Sequence, residues 1–137
     1  MIKRITAVAF ALVAAGLMSG AQTNHWIPEI QFVSPVANSC ANQDYVDVNI
    51  IFNVGIRPDS VKVWMNGCRV ERNLRVTTKG ITGRLERRHC LNICDKACSE
   101  CHRTNTLRVR GRQWVGNEKE LGTTFFYLGS LVRKEHD

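Results

Sequence analysis

Ser60-Val61-Lys62-Val63-Trp64-Met65-Asn66-Gly67-Cys68-Arg69-Val70 is the stretch on which the fold turns. Val61, Val63 and Met65 alternate with Lys62 and Trp64, the period of two that gives a strand one apolar and one polar face. Asn66-Gly67 then supplies two residues that tolerate positive φ, as a two-residue hairpin requires, and Cys68-Arg69-Val70 runs back. The alternation turns Trp64 outward, either onto the second face of the sheet or towards a partner or sugar.

The same alternation extends in both directions from this hairpin. In Tyr45 to Phe52, Val46, Val48, Ile50 and Phe52 share one face while Asp47 and Asn49 take the other. Glu29 to Val33 forms an earlier strand, ended at Ser34-Pro35 because proline donates no ladder hydrogen bond. A loop through Asn38 to Asn42 follows it. After the hairpin come Cys68 to Val76, Ile81 to Glu86, Thr104 to Arg110 and Thr123 to Leu128, with turns at Thr77 to Gly80 and around Trp114 to Asn117. In Thr104 to Arg110, Leu107 and Val109 point inward, Arg108 and Arg110 outward. About seven short strands with no helical period between them predict an all-β antiparallel sandwich.

The chain has 137 residues, and its start reads as a secretory signal peptide over 1–21. Lys3 and Arg4 precede the apolar run Ile5 to Met18, and Ser19-Gly20-Ala21 supplies small residues at the cleavage positions. That run is shorter than the roughly 20 residues a spanning helix needs, so the chain is expected not to span a membrane. A linker over 22–28, a sandwich domain over 29–129 and a charged tail over 130–137 complete the expected organisation. The formal charge is +7, of which Lys3 and Arg4 carry two, so an arginine-rich mature chain remains basic. In a periplasmic or secreted protein that charge suits a protein or anionic envelope polymer as partner, not nucleic acid, or else a solvated strand face. Trp64, Arg108 and Arg110 are the candidate partner contacts. No serine or carboxylate stands in a catalytic arrangement with the histidines, no phosphate loop appears, and the chain is expected not to be an enzyme.

Two stretches resemble bacterial immunoglobulin-like domains. Pro58-Asp59-Ser60-Val61-Lys62-Val63-Trp64-Met65-Asn66-Gly67-Cys68-Arg69-Val70 is similar to their D-P-x-S-V-x-V-x-L-N-G-x-x-V hairpin. Thr104-Asn105-Thr106-Leu107-Arg108-Val109-Arg110 resembles their G-x-N-T-L-x-V-x-A strand, and Gly116-Asn117 the turn that often follows. The resemblance implies an immunoglobulin-like β-sandwich and no catalytic residue. Where such domains pass from the fifth strand to the N-T-L strand in a few residues, this chain spends residues 87–103 on an insertion containing Cys90, Cys94, Cys98 and Cys101.

All six cysteines, including Cys40 and Cys68, follow the leader, and an oxidising compartment makes disulfides their default state. If successive strands reverse, the connections holding Cys40, Cys68 and the insertion all fall at one end of the sandwich, with Trp114 at the other. Cys40 and Cys68 are then expected to pair with the cluster or with one another. The spacing i, i+4, i+8, i+11 puts the four clustered sulfurs within about 80° on a helix, so a short helix there would aim all four at one side. Other chemistries stay open. Cys98-Ser99-Glu100-Cys101-His102 matches the C-x-x-C-H attachment signal of haem c, four thiolates or three with His102 or His89 satisfy zinc, and Cys98/Cys101 can be read as a redox pair. No cofactor is the first reading, with haem c or zinc at Cys98, Cys101 and His102 as the alternative.

Overall fold

The computed structural model describes residues 27–130; the expected signal peptide and nearly all of the expected charged tail lie outside the described residues. Nine strands form two sheets: β1 (Ile30–Ser34), β2 (Cys40–Asn42), β3 (Tyr45–Phe52), β4 (Lys62–Met65), β5 (Cys68–Arg69), β6 (Arg75–Val76), β7 (Gly80–Glu86), β8 (Asn105–Gly111) and β9 (Lys119–Gly129). One sheet runs β1-β3-β7-β6 and the other β2-β9-β8-β4-β5, and the two make an all-β sandwich.

The core follows from the alternation. Val46, Val48, Ile50 and Phe52 of β3 and Ile81 and Leu85 of β7 face Val63 and Met65 of β4, Leu107 and Val109 of β8, and Leu121, Phe126 and Leu128 of β9. Each is almost fully withdrawn from water, at roughly 1.5–3 kcal/mol per large apolar side chain. The hairpin β4–β5 turns at Asn66-Gly67, both with positive φ (52° and 89°), as their chemistry demands.

Four features depart from the sequence reading. Cys40–Asn42 is a strand, not loop, and it pairs parallel with β9, so the sandwich is mixed rather than wholly antiparallel. Three residues are too few to display a period; the open edge of β9 selects this conformation. Cys68 to Val76 is two strands in different sheets, separated by a 3-10 turn at Glu71–Asn73. The Glu71 carboxylate accepts the Val63 N–H at 3.0 Å, occupying a donor that a longer β5 would use. β9 starts at Lys119, four residues early, because Glu120 and Lys119 continue the ladder opposite Arg110 and Gly111 past a bulge. Finally, no helix spans the cysteine cluster, which holds only 3-10 turns at Arg87–His89 and Cys98–Glu100.

Candidate functional site: the cysteine pole

Strand directions bring the turn at Gln43-Asp44, the hairpin at Asn66-Gly67, the insertion over 87–103 and the end of β9 to one end of the sandwich. All six cysteines are there, joined as Cys40–Cys98, Cys68–Cys90 and Cys94–Cys101. Cys40 and Cys68 therefore pair with the cluster, and the two cysteines of C-x-x-C-H are bound to different partners. The four clustered sulfurs do not share a face. Cys90 points back to β5, Cys98 to β2, and Cys94 and Cys101 close a local ring.

Tertiary hydrogen bonds explain why the segment does not take the helical arrangement that would align its sulfurs. The Cys94 N–H donates to Leu128 O (3.0 Å), the Cys98 N–H to Asn42 Oδ1 (2.7 Å), and the Ser130 N–H to Lys96 O (2.8 Å). These bonds use groups that an α-helix would spend on its own i→i−4 ladder. Cys90 interrupts the segment with a left-handed conformation, φ 68°. At the end of β9, a Cβ on Gly129 would collide with Cys98 N, the Ala97 carbonyl carbon and Lys96 O, so the insertion lies directly on the glycine backbone.

An asparagine clasp, which the sequence reading missed, holds the base of the insertion. Asn105, fully buried, accepts the Asn92 N–H at 2.7 Å on Oδ1 and donates from Nδ2 to Asn92 O at 2.9 Å. Asn66 donates from Nδ2 to Asn105 Oδ1 (2.9 Å) and Cys90 O (2.7 Å), while its Oδ1 accepts the Thr106 N–H (2.8 Å). Both residues belong to the motifs read from the sequence, where they were credited only with turn and strand roles. That β4 ends just before Asn66, where the antiparallel β8 begins at Asn105, so that both stand at one end of the sandwich, was the available signal. His89, buried beside them, accepts the Glu86 N–H on Nδ1 at 2.8 Å.

Hollows flank the insertion on several sides. An open cleft of about 750 Å³ is lined by Asp44, Tyr45, Arg84, Glu86, Arg87 and Arg88. Its charge is largely internally matched: Arg84 pairs with Asp47 at 2.9 Å and stands 3.9 Å over the Tyr45 ring, and Arg88 pairs with Glu86 at 3.3 Å. A smaller hollow of about 260 Å³ has exposed His102 at its wall with Cys94, Asp95, Glu100 and Cys101. Among the described residues no group of three or more His, Cys, Asp or Glu side chains is placed to hold a metal ion. With both disulfides closed, Cys98 and Cys101 have no thiolate to offer; haem or zinc on them would need both bonds opened.

The candidate contacts Trp64, Arg108 and Arg110 lie away from the cysteines, on the outer face of the second sheet. Trp64 stands opposite Arg69 on one side and Arg108 on the other, with guanidinium carbons 5.4 and 4.6 Å from the ring. Glu71 closes the row on Arg69, Glu120 binds Arg108 Nε at 2.9 Å, and Glu118 joins Arg110 and Lys62 at 3.1 Å each. The half-buried tryptophan is thus sandwiched within a cation–π and ion-pair row.

Burial pushes the Glu71 carboxyl up, but the Arg69 guanidinium and the Val63 N–H outweigh it and hold the group below its ordinary 4.5. A depressed carboxylate adds stability above its unfolded pKa and loses it as pH falls through the folded value. Thermal stability is therefore expected to drop below about pH 4.5, and Glu71→Gln to flatten part of that decline, read as Tm against pH for both chains.

The fold and the pole define a disulfide-capped all-β sandwich. No family model matches the chain, and no curated protein matches it. Among solved structures, the crystal structure of CopC from Methylosinus trichosporium OB3b is similar at 15% identity and a TM-score of 0.44, over 77% of this chain and 99% of that one. A likeness at that level says nothing of what this chain binds.

Proposed function

We propose that the chain is an exported, non-enzymatic module of the bacterial immunoglobulin-like kind that works by interaction or structural support at the cell envelope. One observation carries the reading: all six cysteines are engaged, in three disulfides gathered at one pole, and the pairing separates Cys98 from Cys101. Stable disulfides belong to oxidising compartments, in agreement with the leader-like start. The hairpin and N-T-L motifs fall on β4–β5 and β8, adjacent strands of one sheet, as the resemblance to immunoglobulin-like domains requires. Among the described residues no helix is long and apolar enough to cross a membrane. Its partner on this reading is a protein or an anionic envelope polymer, met by exposed parts of the sandwich while the pole keeps the insertion rigid.

The test is the intact mass and absorption spectrum of the exported protein purified without reductant. The reading expects a mass six hydrogens below that of the reduced chain and no chromophore. A Soret band with a haem increment, or free thiols with bound zinc, would replace it with a metal or haem protein centred on Cys98, Cys101 and His102.

A further inference from the structure

The pole opposite the cysteines carries the most exposed apolar side chains of the described residues. Trp114 is 60% and Val115 88% exposed, side by side near the apex of the β8–β9 hairpin. Gly116 follows with φ 126°, and a Cβ placed there would meet nothing within 4 Å, so the apex stands clear of the body.

The hairpin's base is nevertheless braced. The Arg57 N–H donates to Arg112 O (2.9 Å), the Arg112 N–H to Ser60 Oγ (3.0 Å), and Gln113 Nε2 to Glu29 Oε2 (3.3 Å). Arg112 Nη1 reaches forward to Gly116 O (3.3 Å), and Arg57 stands 5.8 Å from the Trp114 ring centre. Gly55 packs against the same ring, its Cβ position 3.0 Å from Cδ1. An aromatic apex already held in place loses little freedom on binding.

Charge selects the partner. At this end the carboxylates are taken: Asp59 by Arg57, Glu118 by Lys62 and Arg110, and Glu29 by Lys119. Arg112 and Lys79 have no acidic partner among the described residues, so the apex sits in a net positive setting. A protruding apolar tip of this kind needs no socket of matching shape if its partner is a fluid interface. Tryptophan favours the boundary between hydrocarbon and headgroup, and arginine and lysine are drawn to anionic headgroups.

We propose that Trp114 and Val115 form a peripheral docking tip for an anionic lipid surface, with Arg112 and Lys79 facing its phosphates. The proposal rests on the reading of the chain as an exported interaction module and adds an anionic lipid surface to the protein or envelope polymer that reading names.

The probe is the full exported chain with vesicles of phosphatidylcholine and phosphatidylglycerol at 3:1, followed by co-sedimentation at low and high salt. Saturable binding is expected, weakened by salt, absent on pure phosphatidylcholine, and reduced at least about tenfold by Val115→Asp and by Trp114→Ala. Val115 is too exposed for the aspartate to disturb folding, and unchanged disulfide content and circular dichroism check this for both variants. Failure of the unaltered chain to bind, or full binding by Val115→Asp, overturns the proposal. So does binding to an immobilised anionic glycan, with none to vesicles, if Trp114→Ala abolishes it, which assigns the tip to sugar. None of these outcomes alters the mass and spectrum on which the broader reading stands, so the two fail separately.

Discussion

Asn105→Leu is expected to destabilise the protein by about 3–5 kcal/mol, among the larger effects a single substitution produces. The side chain is fully buried, and leucine matches its volume without its hydrogen bonds. Removing it leaves the Asn92 N–H and C=O and one Asn66 amide hydrogen without their partners. An unpaired buried polar group costs about 1–3 kcal/mol, and three are orphaned together. Asn66→Gly provides the comparison: it keeps the positive φ the hairpin needs while deleting the clasp's second member, for a loss of about 1–2 kcal/mol. Urea unfolding of the oxidised chains reads both values. If Asn105→Leu costs under about 1 kcal/mol, the insertion is not held by the clasp and the three disulfides fix it alone.

Removing the disulfides in pairs is expected to rank by the loop each one closes. Cys40–Cys98 spans 58 residues, Cys68–Cys90 22 and Cys94–Cys101 7. Loop-closure entropy then gives losses of about 4, 3 and 2 kcal/mol for the three double alanine variants. The Cys68–Cys90 ring lies inside the larger one and shortens its effective length, which narrows the first gap without reversing it. Chemical unfolding of each variant gives the order. A largest loss from Cys94→Ala/Cys101→Ala would mean that the small ring shapes the native insertion, so that its contribution does not come from the unfolded chain.

The strands most plainly legible in the sequence were those whose burial alternates over four or more residues, while β7, buried at Ile81 and Leu85 without strict alternation, was read from its place between turns. β3 shows four buried apolar residues in strict alternation, and β4 and β8 repeat the pattern. β2, β5 and β6 are too short to carry a period, and their existence depends on an edge supplied by distant chain. The single pole was legible too, because strand reversal is a counting argument. The helical reading of the cluster failed because spacing reports only where side chains would point if the backbone were helical. Leu128, Asn42 and Ser130 claim that backbone, and no local signal reveals them. The clasp was hidden for a related reason: Asn66 and Asn105 are 39 positions apart, and each already had a sufficient local explanation.

Gly129 makes the end of β9 and the insertion depend on one another. The insertion passes over its backbone so closely that no side chain fits, although nothing in the local sequence of β9 asks for glycine there. A relative that lost the insertion would be free to place any strand-forming residue at this position. Any side chain at position 129 would push the insertion off the strand it covers.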